Sequence, residues 1–352
     1  MKPTSSEPRT VPRGPRGLLR ASRAAAACSI TLLIAATGEL ACSRQESTES
    51  RAEMLASTEW LETNLRDPNL TILHVGRDED SYRAGHIPGA YFVNWREVAV
   101  ERQGIPEEVP TLNALVKLAR ELGVTTSATH EDYHALAQAF LGVVGGHWEP
   151  KRRIVVYDDG LGLAAAQVYV ALDYIGAAEQ AALLDGQLRT WKAEGRPIST
   201  EPPEPKHSEY VPKVHPELFV SLDFVQEVVI EQKELHGSEI ALLDVRPQRE
   251  FSGRYAGRGI NRPGHIPGAV NLPWLENLVS SERPLLGSSS DLFRRYQEAG
   301  LQPEGLIVTY GRTGAEAALA YFTLKYLGFD VRIYEGGFVE WSRSVDADLV
   351  NE

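Results

Sequence analysis

Two stretches of this chain are identical, Gly85-His86-Ile87-Pro88-Gly89-Ala90 and Gly264-His265-Ile266-Pro267-Gly268-Ala269. A short apolar stretch precedes each copy, at residues 71–75 and 240–245, and an extended stretch that ends in a tryptophan follows. Short apolar stretches rich in β-branched residues are typical of buried strands. One such match could arise by chance, but two matches within the same order of elements indicate an internal repeat.

Later segments extend the repeat. Each unit continues with a second apolar strand, at residues 154–157 and 306–310, and then with a glycine-bearing loop, an apolar helix and a closing strand. The first unit has additional length, which predicts helices near residues 113–122 and 130–141. Strands that alternate with helices favour a parallel sheet. We therefore expect an α/β fold class with two similar domains, each a parallel β-sheet covered by helices on both faces.

Composition divides the chain into segments. Residues 1–42 hold a basic stretch and then an apolar run that is short for a membrane span, which is typical of an export signal. Residues 43–52 are polar and predict a flexible tether. Residues 197–216 are rich in proline and charge and predict an exposed linker. These boundaries predict an N-terminal domain over residues 53–196 and a C-terminal domain over residues 217–352.

Both cysteines of the chain, Cys28 and Cys42, lie in the predicted export signal, so the two predicted domains contain no thiol. Cys42 follows Leu40 and Ala41, which resembles a bacterial lipoprotein signal, although Glu39 stands where an apolar residue is usual. The resemblance implies that Cys42 is acylated, with ordinary signal cleavage as the alternative. The protein is therefore expected to be exported, either periplasmic or anchored to a membrane through a lipid.

The charge of the chain limits its partners. The formal net charge is −12, from 36 lysines and arginines against 48 aspartates and glutamates. Such an acidic surface repels nucleic acid and anionic membranes, so neither is expected as a direct partner. His130, His134 and His147 could form a metal site, but the polar face of a surface helix is the simpler interpretation, and no metal or other cofactor is expected.

Several features of the repeat resemble one family. The paired motifs, the tyrosine that ends the strand before each loop and the closing Gly-Gly-Phe-x-x-Trp at residues 336–341 closely resemble the tandem rhodanese family, the thiosulfate and 3-mercaptopyruvate sulfurtransferases. The resemblance covers about residues 53–344. It implies that the N-terminal domain is the non-catalytic half and that the C-terminal domain carries the catalytic loop.

In that family the catalytic loop begins with a cysteine. Its thiolate takes a sulfane sulfur, forms a persulfide and passes the sulfur to a thiophile such as cyanide. The loop is a nest of inward-pointing backbone N–H groups at the start of a helix, which lowers the thiolate pKa and binds an anionic substrate. The resemblance places Gly311 at the cysteine position of this chain. Glycine cannot form a persulfide, so sulfur transfer by the family mechanism is not expected.

The remaining loop residues predict a pocket for a small anionic sulfur compound, because a nest needs only backbone groups. Glu316 argues the other way, since a carboxylate at the rim repels anions. The predicted substrate-binding residues are Arg254, which resembles the substrate-binding arginine of the family, and the loop residues Gly311, Arg312, Thr313, Gly314, Ala315 and Glu316.

Three functions follow from this sequence. The main hypothesis is a pseudoenzyme of the sulfurtransferase family that keeps a small-anion pocket. The alternatives are an active sulfurtransferase that uses another route and a structural or partner-binding protein with an inactive loop.

Other polar residues of the repeat are predicted to be structural. His86 and His265 belong to tight turns and are expected to bond local backbone. Asp244 and Arg246 predict an internal ion pair or a turn anchor rather than a catalytic group. Asp158 disfavours anions in the N-terminal loop, which assigns that domain a packing role.

Overall fold

The computed structural model describes residues 51, 53–126, 153–235, 239–345 and 347–351. The predicted export signal with Cys42 and most of the predicted tether lie outside the described residues. The same holds for His130, His134 and His147 and for the predicted second extra helix. Among the described helices, none is both long enough and apolar enough to cross a bilayer.

The N-terminal half forms a five-stranded parallel sheet and a separate antiparallel hairpin. Its strands are β1 (Leu55–Ala56), β2 (Leu70–Gly76), β3 (Ala90–Asn94), β4 (Val100–Arg102), β5 (Ile105–Glu108), β6 (Arg153–Asp158) and β7 (Ala181–Leu184). The parallel sheet has the order β1-β7-β6-β2-β3, and β4 pairs with β5. Its helices are α1 (Thr58–Asn64), α2 (Glu79–Ala84), α3 (Leu112–Glu121), α4 (Leu163–Tyr174) and α5 (Gln187–Ala193).

The C-terminal half repeats this arrangement. Its strands are β8 (Phe219–Val220), β9 (Ile240–Asp244), β10 (Val270–Asn271), β11 (Leu306–Tyr310) and β12 (Asp330–Tyr334), in the sheet order β10-β9-β11-β12-β8. Its helices are α6 (Leu222–Leu235), α7 (Gln248–Phe251), α8 (Ser289–Glu298), α9 (Gly314–Leu327) and α10 (Gly337–Arg343). The next-to-last strand of each half, β6 or β11, lies at the centre of its sheet with parallel neighbours on both sides, which requires crossover connections.

Both faces of each sheet are buried. In β6, Val156 belongs to one hydrophobic cluster and Val155 to another. In β11, Ile307 and Val308 divide between two clusters in the same way. Because successive side chains of a strand point to opposite faces, helices must cover both sides of each sheet. The predicted fold class is confirmed.

The histidines of the repeated motif have the structural role that the sequence predicts. His86 Nδ1 lies 2.8 Å from the carbonyl oxygen of Tyr82, and His265 Nδ1 lies 2.9 Å from that of Phe251. Each imidazole also stacks on the ring of the same residue, with centroids 3.8 Å and 3.7 Å apart. Both histidines are buried, so they join the motif to the short helix before it.

Helices α4 and α9 pack against each other where the two halves meet. The buried carboxylate of Asp173, on α4, accepts a hydrogen bond of 2.7 Å from the hydroxyl of Tyr321, on α9. The ammonium group of Lys325 pairs with the same carboxylate oxygen. His215, from the segment between the halves, lies 3.7 Å from the other oxygen. One buried carboxylate therefore links both halves and the segment that joins them.

We expect Asp173→Ala to lower the free energy of unfolding by about 2–4 kcal/mol, because it leaves a buried tyrosine hydroxyl and an ammonium group without their acceptor. Urea unfolding near neutral pH measures the change. Glu298→Ala is the matched control, since it removes an exposed ion pair with Arg294. The control should change stability by less than about 1 kcal/mol. Equal losses in the two variants would contradict the assigned role of Asp173.

Candidate functional site

The loop at residues 311–316 leaves the carboxyl end of the central strand β11 and enters the first turn of α9. Thr313 is the N-cap of this helix, with an extended backbone (φ −136°), and Gly314 is its first residue. Ligands of parallel α/β sheets bind at this edge, where backbone N–H groups at helix starts point outward. The structure therefore brings the predicted loop residues together at the expected place.

The carboxylate of Glu316 occupies the inside of this loop. Its Oε2 accepts a hydrogen bond of 2.7 Å from the backbone N–H of Arg312, and Glu316 is only 9% exposed. A Cβ atom placed on Gly311 would lie 2.6 Å from Glu316 Cβ and 3.0 Å from Glu316 Oε2. The space beside Gly311 is thus filled by a side chain of the same loop. Burial raises the pKa of the Glu316 carboxyl, although the Arg312 N–H and guanidinium oppose the rise.

The guanidinium of Arg312 is shared between two carboxylates. Its Nε and Nη2 donate to Glu250 at 3.1 Å and 3.0 Å, and Nη2 also lies 3.3 Å from Glu316 Oε1. Burial lowers the pKa of Arg312. The hydrogen bond to Glu250 and the charge of Glu316 more than offset this effect, so the pKa lies above its ordinary value. The arginine is charged and its charge is already balanced. It leaves no excess positive charge for an external anion.

Arg254 does not take part in this network. Its side chain is exposed and forms no hydrogen bond or ion pair with a described residue. The residue of this segment that reaches the loop is Glu250, whose carboxylate accepts from Arg312. Gly257 adjoins the pair, since a Cβ there would lie 3.3 Å from Arg312 Nε. The guanidinium of Arg262 instead donates to backbone carbonyls at and beyond the end of α10.

The N-terminal half covers the loop from the opposite side. The hydroxyl of Thr313 donates to the carboxylate of Glu107, at the end of the β4–β5 hairpin. A Cβ on Gly314 would lie 2.6 Å from the carbonyl oxygen of Glu107, so only glycine allows this approach. Gln167 of α4 donates to the same carbonyl at 3.3 Å. The loop is therefore part of the contact between the two halves.

A further carboxylate lies beside this contact. Glu335, at the end of β12, accepts a hydrogen bond from the backbone N–H of Val109. Burial raises the pKa of Glu335 to about 7; the Val109 N–H opposes this rise, whereas the charge of Glu108 adds to it. Glu335, Glu107, Glu250 and Glu316 together make the surroundings of the loop acidic. Such surroundings do not attract a small anion.

The corresponding loop of the N-terminal half is also filled by a carboxylate. Asp158, at the end of β6, is 4% exposed, and burial raises its pKa while backbone hydrogen bonds oppose the rise. Four backbone N–H groups donate to it at 2.7–3.2 Å, from Gly160, Gly162, Ala164 and Ala165. This loop therefore holds its own anion. The next residue, Asp159, accepts from Ser81 at 2.6 Å and lies 2.9 Å from His74 Nε2.

Sequence reasoning missed Glu250 and Glu107. The repeat contains a signal for Glu250. Ser81 directly precedes Tyr82, whose ring stacks on the first motif histidine. Glu250 directly precedes Phe251, whose ring stacks on the second. Ser81 bonds Asp159 of its own loop, just as Glu250 bonds Arg312. Glu107 carries no such signal, because its contact joins residues 206 positions apart.

Comparison with known proteins identifies relatives of the whole described region. The rhodanese-like domain matches residues 57–194 and 230–344. The "Sulfur carrier protein TtuD" of Thermus thermophilus is 31% identical over 309 residues, which cover 84% of this chain and 96% of that protein. The thiosulfate sulfurtransferase of Azotobacter vinelandii is 30% identical over 292 residues, 82% of this chain and 94% of that protein.

Solved structures share the fold. The structure of wild-type EanB superposes with a TM-score of 0.68 at 21% identity, over 86% of this chain and 70% of that one. The crystal structure of YnjE gives 0.67 at 20% identity, over 85% of this chain and 68% of that one. At this level of identity the agreement concerns the fold alone.

We expect Glu335→Gln to change how stability depends on pH. The folded-state pKa of about 7 lies above the value of 4.5 for an unperturbed glutamate, so the folded state binds this proton more tightly. The contribution of the Glu335 carboxyl to the free energy of unfolding is therefore fully present below about pH 4.5 and is lost as the pH rises through about 7. The free energy of unfolding of the variant, relative to that of the wild type, should therefore rise by about 3 kcal/mol between about pH 4 and pH 8. Urea unfolding at both pH values measures this gain, and a pH-independent difference would contradict it.

Proposed function

This chain belongs to the rhodanese-like domain family and contains two copies of the domain, and we propose that it is a member without cysteine persulfide chemistry. The proposal rests on Gly311, which begins the loop after the central strand of the second domain. The family reaction needs a thiolate at this point, and glycine has no side chain. Cys28 and Cys42 are the only cysteines of the chain, and both precede the two matched regions.

The contacts of Glu316 support a loop that is closed on its own carboxylate. A nest of backbone N–H groups stabilises one anion, and here Glu316 is that anion. An external thiosulfate would have to displace this carboxylate and then lie beside Glu250, whose charge would repel it. The function that this geometry supports best is a non-catalytic one, in which the sulfurtransferase fold serves as a binding or structural module.

A retained anion site is the second candidate, and one observation favours it. A single backbone N–H, that of Arg312, donates to Glu316, whereas four such groups hold Asp158 in the other loop. Glu316 therefore has fewer backbone donors than Asp158, and beyond that N–H it depends on the guanidinium of Arg312, which an external anion could also bind. The names of the relatives, a sulfur carrier protein and a thiosulfate sulfurtransferase, make a small sulfur oxyanion the ligand class to test.

The residues before the first domain support a further part of the proposal. A basic stretch, an apolar run and Cys42 in residues 1–42 are consistent with an exported protein that is anchored through a lipid on Cys42.

We expect the full chain to produce no thiocyanate from thiosulfate and cyanide beyond the protein-free background. In the family reaction, the thiolate attacks the outer sulfur of thiosulfate, the S–S bond breaks and sulfite leaves with the electron pair; no group of the second domain can begin this step. A Cys28→Ser/Cys42→Ser variant controls for the two cysteines outside the matched regions. Thiocyanate formation by that variant above background would contradict the proposal.

Restoring the thiol tests the placement of Gly311 within that same cysteine-free background. Gly311→Cys alone should take up little sulfur, because its Cβ would meet Glu316 at 2.6 Å. Gly311→Cys combined with Glu316→Gly removes both the Cβ and the carboxylate of residue 316 and should gain the mass of one sulfur atom after incubation with thiosulfate. Intact-protein mass spectrometry distinguishes the two variants.

We expect thiosulfate to bind Glu316→Ala but not the wild type, because the alanine variant exposes the Arg312 N–H and removes one of the two carboxylates that neutralise its guanidinium. The variant should bind with a Kd of the order of 1–10 mM, as befits a few charge-assisted hydrogen bonds in a solvated loop. Isothermal titration calorimetry measures both proteins, with Glu298→Ala as a surface control. Equal affinity in the wild type and Glu316→Ala would contradict the closed loop and favour the retained anion site.

A further inference from the structure

The segment that follows α7 carries a cationic surface that the loop does not use. Arg249, Arg254 and Arg258 are all exposed, and Tyr255 between them is 51% exposed. Arg249 places its guanidinium 5.0 Å from the centre of the Tyr255 ring. None of these guanidinium groups pairs with a carboxylate among the described residues. We propose that this arginine patch, consisting of these four residues, binds an acidic peptide segment of a partner protein.

The backbone under the arginine patch is fixed before any partner binds. The N–H of Tyr255 donates to the carbonyl of Arg249 at 2.9 Å, and that of Gly253 donates to the carbonyl of Glu250 at 3.2 Å. Gly253 and Gly257 have left-handed backbones, with φ of 77° and 79°, which turn the segment sharply at both ends. A partner therefore does not have to order this segment, which lowers the entropy cost of binding.

The stacked pair of Arg249 and Tyr255 is the anchor of the arginine patch. A guanidinium over a tyrosine ring is held in place by the ring quadrupole while its edge N–H groups stay free to donate. Tyrosine and arginine are also the residue types most enriched among the energetically dominant residues of interfaces. The patch thus offers a flat apolar surface surrounded by donors that suit carboxylates in pairs.

Charge and shape favour a short acidic peptide over other anions. A single small oxyanion gains little at exposed arginines, because water screens each contact, whereas a run of carboxylates neutralises several of them at once. A nucleic acid extends beyond the arginine patch onto the surface of a protein whose net charge is −12, which repels it. A short acidic segment is small enough to contact only the arginine patch.

The position of the arginine patch places a bound partner next to the closed loop. Gly257 lies between Tyr255 and Arg258 in the chain and adjoins the Glu250–Arg312 pair. A peptide on the patch therefore covers the outer side of that pair. The proposal does not depend on chemistry at Gly311, since the four patch residues are separate from the loop.

Fluorescence anisotropy of a fluorescein-labelled hexa-glutamate peptide tests this proposal on the full chain at low ionic strength. Arg249→Ser/Arg254→Ser/Arg258→Ser should weaken binding by about 10-fold or more, and added salt should weaken wild-type binding steeply. The matched control removes the same charge from exposed arginines of the N-terminal domain, with serine at Arg66, Arg83 and Arg96. It should change the affinity by less than about twofold, since its arginines lie in the other domain.

Tyr255→Ala distinguishes binding by the specific arrangement of Arg249 and Tyr255 from non-specific electrostatic attraction. It should weaken peptide binding by about threefold or more while net charge stays constant, because Arg249 loses the ring that positions it. Three outcomes would overturn the proposal: no binding by the wild type, equal weakening by the two arginine variants, or tighter binding of a single-stranded oligonucleotide of the same charge than of the peptide.

Discussion

The bidentate pair between Arg312 and Glu250 is the interaction on which the shape of the second loop depends. Glu250 is 2% exposed and sits on α7, so its carboxylate fixes the arginine from the side of the sheet. Glu316 then meets the same guanidinium from the first turn of α9. Removing either carboxylate leaves a partly buried arginine with less compensation, and removing the arginine leaves two buried carboxylates, which costs several kcal/mol.

Charges alternate from the core to this loop. Below Glu250, the fully buried Arg246 donates to Asp244 at 3.0 Å through Nε and lies over the ring of Phe338 at 3.6 Å. Burial lowers the pKa of Arg246, but the charges of Asp244 and Glu250 and its hydrogen bond to Asp244 raise it overall. This predicted internal ion pair is confirmed. Because each charge has an opposite neighbour, the second domain can hold several ionised groups at the carboxyl edge of its sheet.

The two loops share one requirement, and the residue that meets it stands at a different position in each. Each must satisfy backbone N–H groups where a strand turns into a helix, and each does so with a carboxylate. In the first domain Asp158 comes from the end of the strand, and in the second Glu316 comes from the helix. A strand-end carboxylate leaves no place for a thiol, whereas a helix carboxylate only fills the space beside Gly311. In the second loop the strand end is therefore left without a side chain at Gly311, which is the basis of our proposal that it has no persulfide chemistry.

The sequence predicted the fold because the fold depends on local repeats. The strand-end tyrosines show this, since the hydroxyl of Tyr157 accepts from the N–H of Ile87 and that of Tyr310 from the N–H of Ile266, which ties each strand to its motif. The sequence also located the loop that begins at residue 311 between a strand and a helix, as the structure has it. It did not show that Glu250 rather than Arg254 contacts Arg312, because left-handed glycines turn the segment and a linear pattern does not show which side chain then faces inward.

Closure of the second loop changes what the contact between the domains can do. Thr313 donates to the Glu107 carboxylate and Gly314 admits the carbonyl of the same residue, so the loop is an element of the contact between the two domains. An interface residue cannot open for each turnover without breaking the contact that orders the two domains. Recognition must then take place on surfaces that remain accessible, and the exposed segment after α7 is such a surface. A glycine at position 311 and the contacts that close the loop are therefore the two observations behind our proposal that this protein binds partners rather than transfers sulfur.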